Sequence, residues 1–178
     1  MSPALEFLAG VGTDHRGRTL DQIATWNHRQ LEQTHDYIQW VFPTMTPSRF
    51  NPHAPVLTRS DIDTGAGNPQ VVGNLIRMAV VMGGFYGLER KSSHGGPQYA
   101  PIDDRCPWWM RADNHNFLRI TRILGSLRLF GFGEEAEAWF GVLDLLVRRY
   151  SGPVSPQTLK FWRDAAGSES TPRGANPR

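Results

Sequence analysis

The chain has little cysteine. Cys106 is the only one in 178 residues. That excludes an internal disulfide and any cysteine-rich zinc site. It points to a reducing compartment, so a cytoplasmic setting is expected. No apolar run is long enough to span a bilayer. The opening residues, MSPALEFLAGVGTDHRGR, have no basic segment leading into a long apolar stretch, so they do not read as a secretory signal. No run of five Lys or Arg residues occurs and the net charge is only +2. A strong nucleic-acid footprint is therefore lacking. There is no G-x-S-x-G, no Walker loop, no dinucleotide fingerprint and no zinc-type histidine spacing. Cys106 precedes a proline, with no cation pattern around it to activate a thiolate. No cofactor or metal is implied, and a binding role is favoured over an enzymatic one.

What the chain does have is helical periodicity. Thr19 is placed to cap a short helix reaching Trp26. Asn27 with Gln30 has capping-box spacing, and Leu31, His35, Ile38 and Phe42 follow at helical intervals until Pro43 ends the run. Asn68-Pro69 is a strong helix start for a stripe containing Leu75, Ala79, Met82 and Tyr86. The segment NHNFLRITRILGSLRLFG is apolar along Ile120, Ile123, Leu124 and Leu127, and again at Leu118 and Leu129. That pattern predicts a central helix packed on two sides. EEAEAWFGVLDLLVRRY has acids first and arginines last, as the helix dipole favours. Ser155-Pro156 opens a last helix. The expected fold is all-α: a single-domain bundle of about five to seven helices with one long loop over residues 90–110.

Several polar residues invite a functional reading. His35 and Gln39 are four apart among apolar neighbours, and an imidazole there can hold a ligand or move a proton. Backbone carbonyls of the Asn51–Pro55 loop could equally satisfy both. Asn116 and the preceding Asp113, Asn114 and His115 open a helix whose first amides either are capped locally or take an anion. Arg119 and Arg122 are one turn apart. A buried arginine needs a partner, either a protein carboxylate such as Asp36 or Asp14, or a ligand carboxylate or phosphate. Trp108 and Trp109, adjacent within the long loop, cannot easily both be buried on one side, so one is a candidate partner contact.

Four blocks occur in order: LEQTHDYIQWVFP, SRFNPHAPVLT, GFYGL and NHNFLRITRILGSL. Together they closely resemble the conserved domain of the opioid growth factor receptor family. The resemblance covers about Gly12 to Ala166. It leaves residues 1–11 as an N-terminal extension and residues 167–178 as a tail that reads as disordered. The short chain looks like a single-domain bacterial-type member. Animal members are nuclear-envelope-associated receptors for a growth-regulating pentapeptide. The resemblance thus implies opioid growth factor receptor activity and membrane association, and carries over no catalytic residue.

The combined expectation is a helical domain binding a peptide or small anionic ligand. Its pocket is expected from His35, Gln39, Trp40, Asn51, Tyr86, His115, Arg119 and Arg122. The arginines would take the anion, with Trp40 and Tyr86 as apolar wall. Two alternatives stay open: an enzyme using His35 or His115 as general base, and an interaction scaffold contacting its partner through Trp108 and Trp109.

Overall fold

A computed structural model describes residues 1–91, 95–150 and 152–168. The tail expected to be disordered lies, from residue 169 onward, outside the described residues. The first half is a series of short helices: α1 (Pro3–Leu8), α2 (Leu20–Ala24), α3 (His28–Gln33), α4 (Ile38–Val41) and α5 (Arg59–Ala66). Then come α6 (Pro69–Phe85), strands β1 (Leu88–Lys91) and β2 (Gln98–Pro101), α7 (Asn116–Leu129), α8 (Gly133–Arg149) and α9 (Pro156–Ala166). The domain is mostly helical, and none of its described helices is long and apolar enough to cross a membrane.

Local sequence accounts for most helix starts. Thr19 with Gln22, Asn27 with Gln30, and Thr58 with Asp61 each form a complete capping box. Asn68 accepts from the amides of Gln70 and Val71, with Pro69 at the first helical position. Residues 1–11, set aside as an extension, include α1. Its Leu5, Phe7 and Leu8 belong to the hydrophobic core. α1 packs on α4 and α6.

Two expectations needed correction. The fold is not purely helical, because the long loop contains a β-hairpin. β1 and β2 pair antiparallel, with Leu88 opposite Pro101 and Lys91 opposite Gln98. Buried Glu135 on α8 holds the hairpin. It accepts two bonds from Arg90 (2.9 and 3.0 Å) and one from the Tyr99 hydroxyl (2.6 Å). These partners come from one residue of each strand and one helix over 30 positions away, so no local pattern announces them. The second apolar face of α7 is also buried only in part, with Leu129 half-buried against the core. Leu118 is 60% exposed, while α8 and α9 cover the other side.

The adjacent tryptophans divide as the crowding argument requires. Trp109 is fully buried and donates its indole N–H to the Tyr86 carbonyl at 2.9 Å. Trp108 remains 40% exposed and donates to the Phe85 carbonyl at 3.3 Å. Both indoles thereby satisfy carbonyls left open at the C-terminal end of α6.

Candidate functional site

The run from Asn27 to Phe42, with its helical spacing, is not one helix. α3 stops at Gln33, Thr34 is extended (φ −94°, ψ 124°), and α4 resumes at Ile38. The cause lies on α7. Arg119, 5% exposed, donates to the carbonyls of Leu31 (3.0 Å), Glu32 (3.4 Å) and Thr34 (2.8 Å). These are carbonyls that a helix end leaves without partners. A guanidinium with several donors in a fixed fork caps them as a group. The Tyr37 hydroxyl adds a second donor to the Leu31 carbonyl at 3.2 Å.

Arg119 is therefore structural in large part, and its remaining contacts tie the break to the start of α7. It donates to Asn116 Oδ1 at 3.3 Å, which also accepts from the Tyr86 hydroxyl at 3.1 Å. The Asn116 amide nitrogen donates to Glu32 at 3.1 Å. Glu32 also lies 3.8 Å from Arg119 and 3.5 Å from His115. Desolvation first, then the Arg119 charge, draws the His115 imidazole below its ordinary pKa, against the opposing pull of Glu32. The first amides of α7 are already used: Asn116 donates to the Asn114 side chain, and Phe117 to its carbonyl. The helix start is therefore a cap and not an anion site.

Arg119 also contacts His35, with 3.1 Å between Nη2 and Nδ1. Arginine only donates, so Nδ1 must be the acceptor and the neutral ring carries its proton on Nε2. That bond commits the lone pair a general base would need. What His35 offers outward is an N–H donor. Its ring stands edge-on to His115, centroids 5.0 Å apart.

Beside these histidines runs a groove of about 630 Å³ between α4, the 44–50 loop and α7. His35, Gln39, His115, Arg119 and Arg122 all line it. Spacing in the sequence does not single out the other lining residues, among them Ser48, Arg49 and Phe50 from the loop, and Leu118 and Thr121 from α7. The block SRFNPHAPVLT contains three of these residues, but nothing in its spacing shows which element they face. No carboxylate is among the described residues that line the groove.

Three predicted pocket residues lie elsewhere. Trp40 is buried against Phe7, and its N–H donates to His15 Nδ1 at 3.1 Å. Tyr86 is fully buried, its hydroxyl held by Asn116. Asn51 supports the groove from behind. Its side-chain nitrogen donates to Gln39 Oε1 (3.4 Å) and the Asp36 carbonyl (3.2 Å), and its oxygen accepts from His53 (3.0 Å). Burial of two aromatic rings and a buried amide network took these residues out of the wall.

Arg122 differs from Arg119. Its partners are neutral: the Phe42 carbonyl at 3.3 Å and the Thr44 hydroxyl at 3.2 Å. No carboxylate pairs with it among the described residues. Asp36 is engaged by Arg16 (3.0 Å) and Arg18 (2.8 Å), and Asp14 by Arg18 (2.6 Å). Burial pushes the Asp36 carboxyl up, but Arg18, then Arg16 and His15, outweigh it and hold the group below the ordinary range. For Arg122 burial acts alone and lowers its pKa, with nothing opposing it. A guanidinium keeps its proton near neutrality, and among the described residues this one has no counter-ion. Arg49 at the rim forms no ion pair or hydrogen bond among the described residues, and Gln39, 7% exposed, has no acceptor for its side-chain nitrogen. The wall thus combines fixed positive charge with unused donors.

The sequence matches the opioid growth factor receptor (OGFr) conserved region over residues 16–173. The chain belongs to the OGFr conserved-region family. It is 32% identical to the human opioid growth factor receptor over 152 residues, which is 80% of this chain and 22% of that protein. The mouse opioid growth factor receptor is 34% identical over 114 residues, 62% of this chain and 18% of that protein. Opioid growth factor receptor-like protein 1 of Xenopus tropicalis is 33% identical over 106 residues, 60% of this chain and 20% of that protein. This OGFr-family chain spans about a fifth of the length of the curated relatives it matches. No solved structure matches it.

Proposed function

We propose that this OGFr-family domain is a binding module whose groove takes a peptide or small molecule through an anionic, acceptor-rich group. The observation that carries the reading is Arg122: a half-buried guanidinium in an open groove, with neutral protein partners and no counter-ion among the described residues. Such a charge is costly to bury unless something pairs with it. A ligand carboxylate or phosphate would supply that partner, and the guanidinium fork suits both. Ile38, Pro47, Phe50 and Leu118, in place of Trp40 and Tyr86, supply the apolar wall. A volume of about 630 Å³ is in the range of small-ligand sites. The name of the relatives, a growth factor receptor, is consistent with a ligand-binding role.

The test is a calorimetric screen of carboxylate and phosphate compounds against the wild type and Arg122→Leu, with circular dichroism to confirm the fold. Hits that lose affinity in the variant support the reading. Unchanged affinity for every hit in a folded variant removes Arg122 from the site.

A further inference from the structure

We infer that the group the groove recognises is a phosphate monoester on an apolar carrier, a finer statement that rests on the anionic-ligand reading above. The first support is charge. Arg119 has Glu32 at 3.8 Å and spends its donors on α3 and its neighbours. Arg122 and Arg49 are the two groove arginines with no carboxylate partner among the described residues. A carboxylate would offset one of those charges. A phosphate monoester carries about −1.5 to −2 near neutrality and matches both.

The second support is the donor inventory. Gln39 is nine-tenths buried, and its oxygen is occupied by Asn51, which fixes the nitrogen as the free end. His35 presents Nε2–H because Arg119 holds Nδ1. Arg122 uses only Nη1 toward protein atoms, leaving Nη2 and Nε, and Arg49 adds its whole fork. These donors outnumber the roughly four lone-pair sites of one carboxylate. Three phosphoryl oxygens can take more of them. The third support is the rim: Phe50 is 81% exposed and Leu118 60% exposed, next to the cations. Apolar surface in that position favours an ester with a hydrophobic body over the free inorganic ion.

Phenyl phosphate, phenylacetate and inorganic phosphate are the probes, titrated by calorimetry or by amide shifts at pH 7.5. Phenyl phosphate should bind at least about tenfold more tightly than either of the others, the scale of a hydrogen bond to a charged group. Arg49→Ala changes an exposed side chain with no partner among the described residues, so it should fold normally, and it should weaken phenyl phosphate roughly tenfold. Arg122→Leu should abolish the preference over phenylacetate. A phosphotyrosine pentapeptide separates the sources: tighter binding than phenyl phosphate assigns the ester to a peptide, equal binding to a free small molecule, and both agree with the inference. If phenylacetate binds as well as phenyl phosphate, the phosphate assignment is wrong while the anionic-ligand reading stands. If inorganic phosphate binds as well, the apolar carrier is wrong. If no anion binds, both readings fall.

Discussion

Replacing Arg119 and Arg122 separately with leucine should have very unequal consequences for stability, although the two residues are one turn apart on α7. Arg119 is 5% exposed and closes three carbonyls at the end of α3, besides bonding Asn116 and His35. Leucine cannot donate. The carbonyls of Leu31, Glu32 and Thr34 would be left partly unsatisfied, and Glu32 would lose a cation. Each hydrogen bond to a charged group contributes about 1.5–3 kcal/mol, and the set does not add because the bonds share one group. Removing one side of a buried charged network costs roughly 3–5 kcal/mol, and that is the expected loss. It is a large part of the ~5–15 kcal/mol available to a domain. Arg122 should behave otherwise. Its desolvation is uncompensated and its two bonds are to neutral oxygens. Losing them costs about 1.5–3 kcal/mol, since both share one charged donor, offset by the roughly 1–4 kcal/mol gained on replacing a half-buried unpaired charge with apolar surface. Arg122→Leu should therefore stay within about 1 kcal/mol of wild type. Urea titration by far-UV circular dichroism, with equal m-values confirmed, measures both. A loss in Arg122→Leu as large as that in Arg119→Leu would refute the division of the two arginines into a structural and a ligand-facing member.

Gly65→Ala should cost about 1–3 kcal/mol and lower the melting temperature by several degrees, because a Cβ there would sit 2.5 Å from the Phe130 ring and 2.9 Å from Leu5. An unchanged melting temperature would show that Gly65 does not lie this close to Phe130 and Leu5. Glu135→Ala strips Arg90 and Tyr99 of their shared acceptor. Amide exchange should speed up in β1 and β2 while α3 keeps its protection, and equal acceleration everywhere would mean that Glu135 holds more than the hairpin. His115 has a lowered pKa in the fold, so the unfolded chain takes up its proton first as pH falls. Its contribution is fully present above the unfolded value of about 6.5 and is lost as pH drops below it toward the folded pKa. His115→Asn should flatten that part of the stability profile measured in urea, and an unaltered slope would contradict the assignment.

Much of the fold is legible in short spans of sequence. Asn27 with Gln30 and Asn68 with Pro69 mark their helix starts, since a cap needs only residues within one turn. The stripe through Leu75, Ala79 and Met82 marks a buried helix face, since period 3.6 is a property of the chain itself. His35, Gln39, His115, Arg119 and Arg122 could be suspected as a group because polar residues among apolar ones need partners. What spacing could not show was the break at Thr34, where helical periodicity runs straight through. The break exists because a guanidinium 85 residues away supplies better donors for the α3 carbonyls than another turn would. The hairpin was hidden for a similar reason: its anchor, Glu135, sits on a distant helix. Trp40 and Tyr86 look like wall residues until the packing of α1 and of Asn116 buries them.

The sequence by itself determined the helical character, the helix starts and the family blocks, because these depend on contacts within a turn or on residue identity. Only the tertiary structure decided which arginine is paired and which is left facing a groove. That choice depends on where Asp14, Asp36 and Glu32 come to rest. Charge pairing acts through space over a few ångströms, and residues far apart in the chain reach that distance only once the core has formed.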